Sequence, residues 1–138
     1  MFQNYSIYQE VAVQSSSPMK LILMLYEGAI NFLNKAIQCG NEGDVKNKNV
    51  YANKARDIIV ELNQALNMDE GGELATGLRR IYRFMNWHLT QANWRNENKG
   101  LVEVKQMLTY LMEGWEDAYG QAKEVTFPGE SRLSGMTV

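Results

Sequence analysis

The sequence predicts an all-α fold, an antiparallel up-down-up-down four-helix bundle preceded by an N-terminal arm. Apolar residues recur at three- and four-residue steps in four long stretches, and the breaks between them are short and rich in glycine, asparagine and aspartate. Only 2 prolines and 11 glycines among 138 residues are available to interrupt a helix. A hydrophobic content of 45% fills one core of this length and not two. The expected organisation is an arm over residues 1–17, a bundle over 18–125 and a flexible tail over 126–138.

Phe2 to Ser17 carries Tyr5, Ile7, Tyr8, Val11 and Val13 without a helical or strand period, so it reads as an arm lying on the body. Ser17-Pro18 starts the first helix: the serine oxygen suits a cap, and proline at the first position has no hydrogen bond to lose. Its stripe is Ile22, Leu25, Tyr26, Ala29, Phe32, Leu33, Ala36 and Ile37, widened by Leu21, Leu23 and Met24. Gly40 to Gly43 stops it, and Asp44 caps a second helix from Val45 to Asn67. There Val45, Ala52, Ile59 and Leu66 form one row and Ala55 and Leu62 its companion, with Lys48, Asn53, Lys54, Asp57, Glu61 and Gln64 on the polar face.

The third helix, Glu73 to Asn93, aligns Leu74, Leu78, Ile81, Tyr82, Met85, His88, Leu89 and Ala92. Gly77 within it costs about 1 kcal/mol against alanine, which points to a close helix contact. The fourth, Leu101 to Glu124, has the most regular heptad: Leu101, Val104, Leu108, Leu111, Trp115, Ala118 and Ala122.

Catalytic constellations are not found. A di-iron bundle needs Glu-x-x-His on two helices, and the chain has no such pair. His88 reads as a hydrogen-bonded core histidine, and Cys39 as a small hydrophobe at a helix end. Gly71-Gly72 lacks the lysine and spacing of a phosphate loop, and Asp69-Glu70 and Glu116-Asp117 read as solvated surface. No cofactor or metal is expected. With 14 basic against 16 acidic residues there is no field to hold a nucleic acid. No apolar run reaches the roughly 20 residues of a membrane span, and the first ten residues do not read as a secretory signal, so the cytoplasm is the expected location.

What remains is apolar surface outside the stripes. Phe84, Trp87 and Trp94 fall away from the Met85 direction. One reading makes Phe84 a flank of the core and Trp94 a packing residue on the next loop, leaving Trp87 alone exposed. The other makes the three a hydrophobic groove for a partner polypeptide. Arg79, Arg80, Arg83 and Arg95 on or beside the same helix either solvate a face or frame a site for an acidic partner. The methionines at 24, 85, 107 and 112 suit core filling and adaptable binding alike.

The string Ser17-Pro18-Met19-Lys20-Leu21-Ile22-Leu23-Met24-Leu25-Tyr26-Glu27-Gly28-Ala29-Ile30 resembles the opening signature of the flagellin-specific export chaperones, the FliS family. The likeness extends to Tyr5 and Tyr8, to Ile58-Ile59 and Glu61-Leu62, to Gly72-Glu73-Leu74, Leu78, Tyr82, Met85, Leu89, Ala92 and Asn93, and to Glu103-Val104 and Trp115. That resemblance implies a cytosolic helical bundle that binds the C-terminal region of newly made flagellin, prevents premature polymerisation and delivers it to the flagellar export gate. It implies no cofactor. It also implies that the arm, with Tyr5, Ile7 and Tyr8, acts as a movable cover competing with the client. The expected state is a monomer or weak homodimer. The alternative is a helical adaptor that self-associates through Phe84, Trp87 and Trp94.

Overall fold

The computed structural model describes residues 18–124. Four helices account for nearly all of them: α1 (Pro18–Asn41), α2 (Val45–Gln64), α3 (Gly72–Arg95) and α4 (Lys99–Glu124). Connections this short force sequential helices to run antiparallel. α1 packs on α2 and α4, and α3 closes the ring by packing on the same two, which is the up-down-up-down bundle the sequence predicts. The expected arm and tail, and the Ser17 cap, lie outside the described residues.

Local chemistry sets the helix ends. Asp44 caps α2 as expected, its Oδ1 accepting from the Asn47 amide at 3.2 Å. Gly43 before it takes φ +78, a left-handed conformation that glycine adopts without steric cost. α2 stops at Gln64, short of the expected Asn67, because Asn67 is used in the turn: its Oδ1 accepts from the Glu70 amide and its carbonyl from Gly71. α3 runs on to Arg95 and ends when Asn96 turns left-handed, its amide donating to the Ala92 carbonyl. Gly100 lets α4 start close to α3, since a Cβ there would lie 2.9 Å from the Ala92 Cβ.

The core follows the stripes read from the sequence, with Leu25, Ala29, Leu33, Ala52, Ile59, Leu62, Leu78, Met85, Leu89, Leu101, Val104 and Leu108 all buried. Gly28 lets α1 approach α2, where the Ile58 Cδ1 would meet an added Cβ at 3.4 Å. Across the diagonal, the buried Tyr26 and Tyr82 hydroxyls are 2.5 Å apart, and the Trp115 indole N–H donates to the Tyr26 oxygen at 3.2 Å. Burial raises the pKa of both phenols above the ordinary tyrosine range.

Four expectations are corrected. Lys48, placed on the polar face, is 1% exposed, and its ammonium donates to the Asn96 Oδ1 at 3.3 Å. Its pKa is lowered by loss of solvent, with nearby Glu97 opposing. Leu74 and Val45, read as core, are exposed because each sits in the first turn of its helix, ahead of the packed interface. Gly77 faces open space and makes no close helix contact; nothing in the structure explains it. In α4 burial is complete only through Leu108, and Leu111, Trp115 and Ala118 are half-buried. The last turns of α4 instead border the open groove that Met112, Glu116 and Tyr119 line with the start of α1.

Gly100→Ala is expected to destabilise the fold by about 1–3 kcal/mol through overpacking against Ala92, read from the urea midpoint. The raised phenol pKa values mean that the unfolded chain releases those protons first as pH rises. Their stabilisation is therefore full below the ordinary tyrosine pKa of about 10 and is lost above it. In urea unfolding at a series of alkaline pH values, Tyr82→Phe should lower stability near neutrality by about 1 kcal/mol and flatten the alkaline decline.

Candidate binding surface

The surface between α3 and α4 is where apolar side chains exceed what the core absorbs. Ile81 on α3 faces Met107 and Leu111 on α4, and these half-buried residues floor a groove of about 490 Å³ edged by Glu103, Gln106 and Tyr110. Tyr110 is 77% exposed. At the upper rim the His88 Nε2 meets the Glu103 Oε2 at 2.9 Å and ties the two helices together. His88 is thus a half-buried bridging residue and not the core histidine expected.

An aromatic cluster builds on that bridge. The Phe84 ring stacks on His88 with centroids 5.3 Å apart, and Trp87 lies 6.3 Å from Phe84 and 6.4 Å from His88. Phe84 is 47% and Trp87 59% exposed, so both present ring surface to solvent. Steps of three and four along α3 put these three residues on adjoining turns beside the groove. Covering one large side chain of this kind stabilises a complex by about 1.5–3 kcal/mol.

Trp94 stands apart. It is 86% exposed, makes no ring contact with Phe84 or Trp87, and lines a cleft of about 580 Å³ between α2 and α3 with Asn49, Asn53, Thr90, Gln91 and Asn93. The reading in which Trp94 packs on the next loop and Trp87 alone is exposed is therefore overturned. The three aromatics do not form one patch either: the structure brings Phe84 and Trp87 together and leaves Trp94 on another seam.

A second apolar groove, of about 500 Å³, opens between the start of α1 and the end of α4. Leu23, Met24, Met112 and Tyr119 line it, with Glu27 and Glu116 among the polar residues at its sides. The Tyr26–Trp115 hydrogen bond joins the same two helices. Both grooves went unread in the sequence. The available signal was Tyr110 outside the heptad, together with three methionines, Met24, Met107 and Met112, whose helices need less apolar surface than they carry. Such flexible, polarizable side chains suit a groove that fits its occupant by repacking.

Among the described residues no group of three or more His, Cys, Asp or Glu side chains is placed to hold a metal ion, and no helix is long and apolar enough to cross a membrane.

Two apolar grooves on a four-helix scaffold are common to many proteins, and comparison with known ones identifies the lineage. The family model described as flagellar protein FliS matches residues 1–122. The chain belongs to the FliS family. The flagellar secretion chaperone FliS of Salmonella typhimurium is 40% identical over 108 residues, covering 78% of this chain and 80% of that protein. Its counterpart in Bacillus subtilis is 36% identical over 114 residues, covering 83% and 84%. The crystal structure of a flagellar chaperone from bacteria shares the fold, with a TM-score of 0.71 at 22% identity over 87% of this chain and 98% of that one. FliS-family membership is what the opening signature of α1 implied, and the signature has a structural basis: Tyr26 is the buried phenol, and Gly28 and Ala29 form the close face towards the core. Tyr5, Ile7 and Tyr8 fall within the family match but outside the described residues.

The exposures make a spectroscopic prediction. In this FliS-family chain Trp94→Phe should remove the most acrylamide-quenchable part of the tryptophan emission and blue-shift the remainder. Trp115→Phe should leave a red-shifted spectrum that quenches more fully than that of the parent.

Proposed function

We propose that this FliS-family chain binds the C-terminal region of newly made flagellin in the cytoplasm, keeps it from polymerising early and hands it to the flagellar export gate. The observation that carries this reading is the α3–α4 groove, with Ile81, Met107 and Leu111 as its floor and Phe84, Trp87 and Tyr110 as exposed anchors. A groove of this shape takes the apolar face of an amphipathic helix, whose residues at three- and four-residue steps enter it in turn. A client that is unfolded before assembly gains its order on binding, so a rigid receptor is the economical counterpart. The α1–α4 groove offers a second berth along the same chain, and a segment wrapped round the bundle reaches both. Relatives named flagellar secretion chaperones support the export role. The arm with Tyr5, Ile7 and Tyr8 serves in this reading as a cover that the client displaces.

Calorimetry of the full chain with a synthetic peptide from the C-terminal region of the same organism's flagellin tests this. One-to-one binding in the micromolar range or tighter is expected. Tyr110→Ala and Trp87→Ala, both at exposed positions that do not burden the fold, should each weaken it by about tenfold. Absence of binding at tens of micromolar peptide would remove the proposal. Self-association that Trp87→Ala abolishes, seen in sedimentation of the free chain, would favour a helical adaptor instead.

A further inference from the structure

The seam between α2 and α3 differs in chemistry from both apolar grooves. On α2, Asn49, Asn53, Arg56 and Asn63 follow at steps of four, three and seven; on α3, Arg79, Arg83, Asn86, Thr90 and Asn93 follow at steps of four and three. Each set therefore occupies one helix face. Hydrogen bonds across the seam show that the two faces meet: the Asn93 Nδ2 donates to the Asn53 Oδ1 at 3.1 Å, and the Arg79 Nε to the Asn63 Oδ1 at 3.3 Å. Neither set contains an aspartate or glutamate. Arg56, Arg79 and Arg83 make no ion pair with any described residue.

The polar atoms of this seam do not satisfy one another. The Oδ1 atoms of Asn49, Asn86 and Asn93 are buried and accept no hydrogen bond. Two of these oxygens, those of Asn49 and Asn93, belong to residues lining the cleft of about 580 Å³ that Trp94 edges. A seam whose arginines make no ion pair with a described residue, with an exposed indole beside a cleft, suits a partner that brings negative charge and an apolar contact together.

We propose that the α2–α3 seam is a docking face for an acidic polypeptide segment, separate from the apolar grooves. Carboxylates of the segment pair with the exposed Arg56 and Arg83, and one apolar side chain covers Trp94 at the cleft. Guanidinium groups form paired hydrogen bonds to a carboxylate, which gives the contact direction as well as charge. A basic segment is repelled by the same arginines. The inference stands whether or not the client of the α3–α4 groove is flagellin.

The test uses the full chain and a fluorescein-labelled peptide of about twelve residues, alternating glutamate and alanine around one central leucine, compared with versions carrying glutamine or lysine for glutamate. In anisotropy titrations the glutamate peptide should bind at least about tenfold more tightly than the glutamine peptide, and the lysine peptide should not bind. The Arg56→Gln, Arg83→Gln double variant should lose about tenfold, and Tyr110→Ala nothing. Trp94→Ala should weaken the peptide without lowering the melting temperature of the free chain, because the indole is exposed and packs in no core. A saturating flagellin peptide should leave the site open. Equal affinity for the three peptides, an unaffected double variant, or displacement by the flagellin peptide would overturn the proposal. So would a dimer of the free chain that the double variant dissolves, which would make a second copy the occupant.

Discussion

Everything in the bundle is referred to the meeting of Tyr26 and Tyr82 at its centre. A phenol hydroxyl in an apolar core costs several kcal/mol unless it finds a partner, and here each is the other's partner across the diagonal. That requirement selects one axial register of α1 against α3, because a slide of a single turn, about 5.4 Å, would part the two hydroxyls and leave that of Tyr82 without its partner. The indole N–H of Trp115 adds α4 to the same point. Apolar packing alone tolerates many registers; these two hydrogen bonds among three side chains select one.

Once register is fixed, the four seams acquire distinct chemistry. The α1–α2 seam is sealed: Gly28 admits Ile58, Phe32 stacks on Tyr51, and the ammonium groups of Lys35 and Lys54 lie within 6.0 Å of both rings. The α1–α4 seam is methionine-lined, the α3–α4 seam aromatic, and the α2–α3 seam made of amides and arginines. A rigid centre with three open seams presents three chemically different surfaces at fixed distances.

The four helices and most of their buried residues were legible because hydrophobic periodicity reports burial directly. The misreadings share a cause, which is that periodicity says nothing about where a neighbouring helix begins or stops. Leu74 and Val45 keep the core phase but lie ahead of the packed region, and Lys48 lies on the core row of α2 beside a connection whose Asn96 oxygen receives it. Phe84 and Trp87 were legible as surplus, yet their separation from Trp94 was not, because residues on the outward arc of one helix drain towards different seams according to which neighbour is nearer. The grooves themselves depend on pairs such as Ile81 with Met107, whose partners are far apart in the chain.

The ends of the bundle are unequal in how they are fastened. At one end lie both three-residue connections, and Asn98 stitches them by donating to the Ile37 carbonyl at 3.1 Å and the Asn41 Oδ1 at 2.9 Å, beside the Lys48–Asn96 bond. At the other end α1 begins and α4 finishes, with no connection joining them. Mechanically the bundle is pinned more heavily at the stitched end than at the end where the α1–α4 groove lies. A load that parts α1 from α4 is therefore borne at one end by several side-chain bonds and at the other by the Tyr26–Trp115 hydrogen bond.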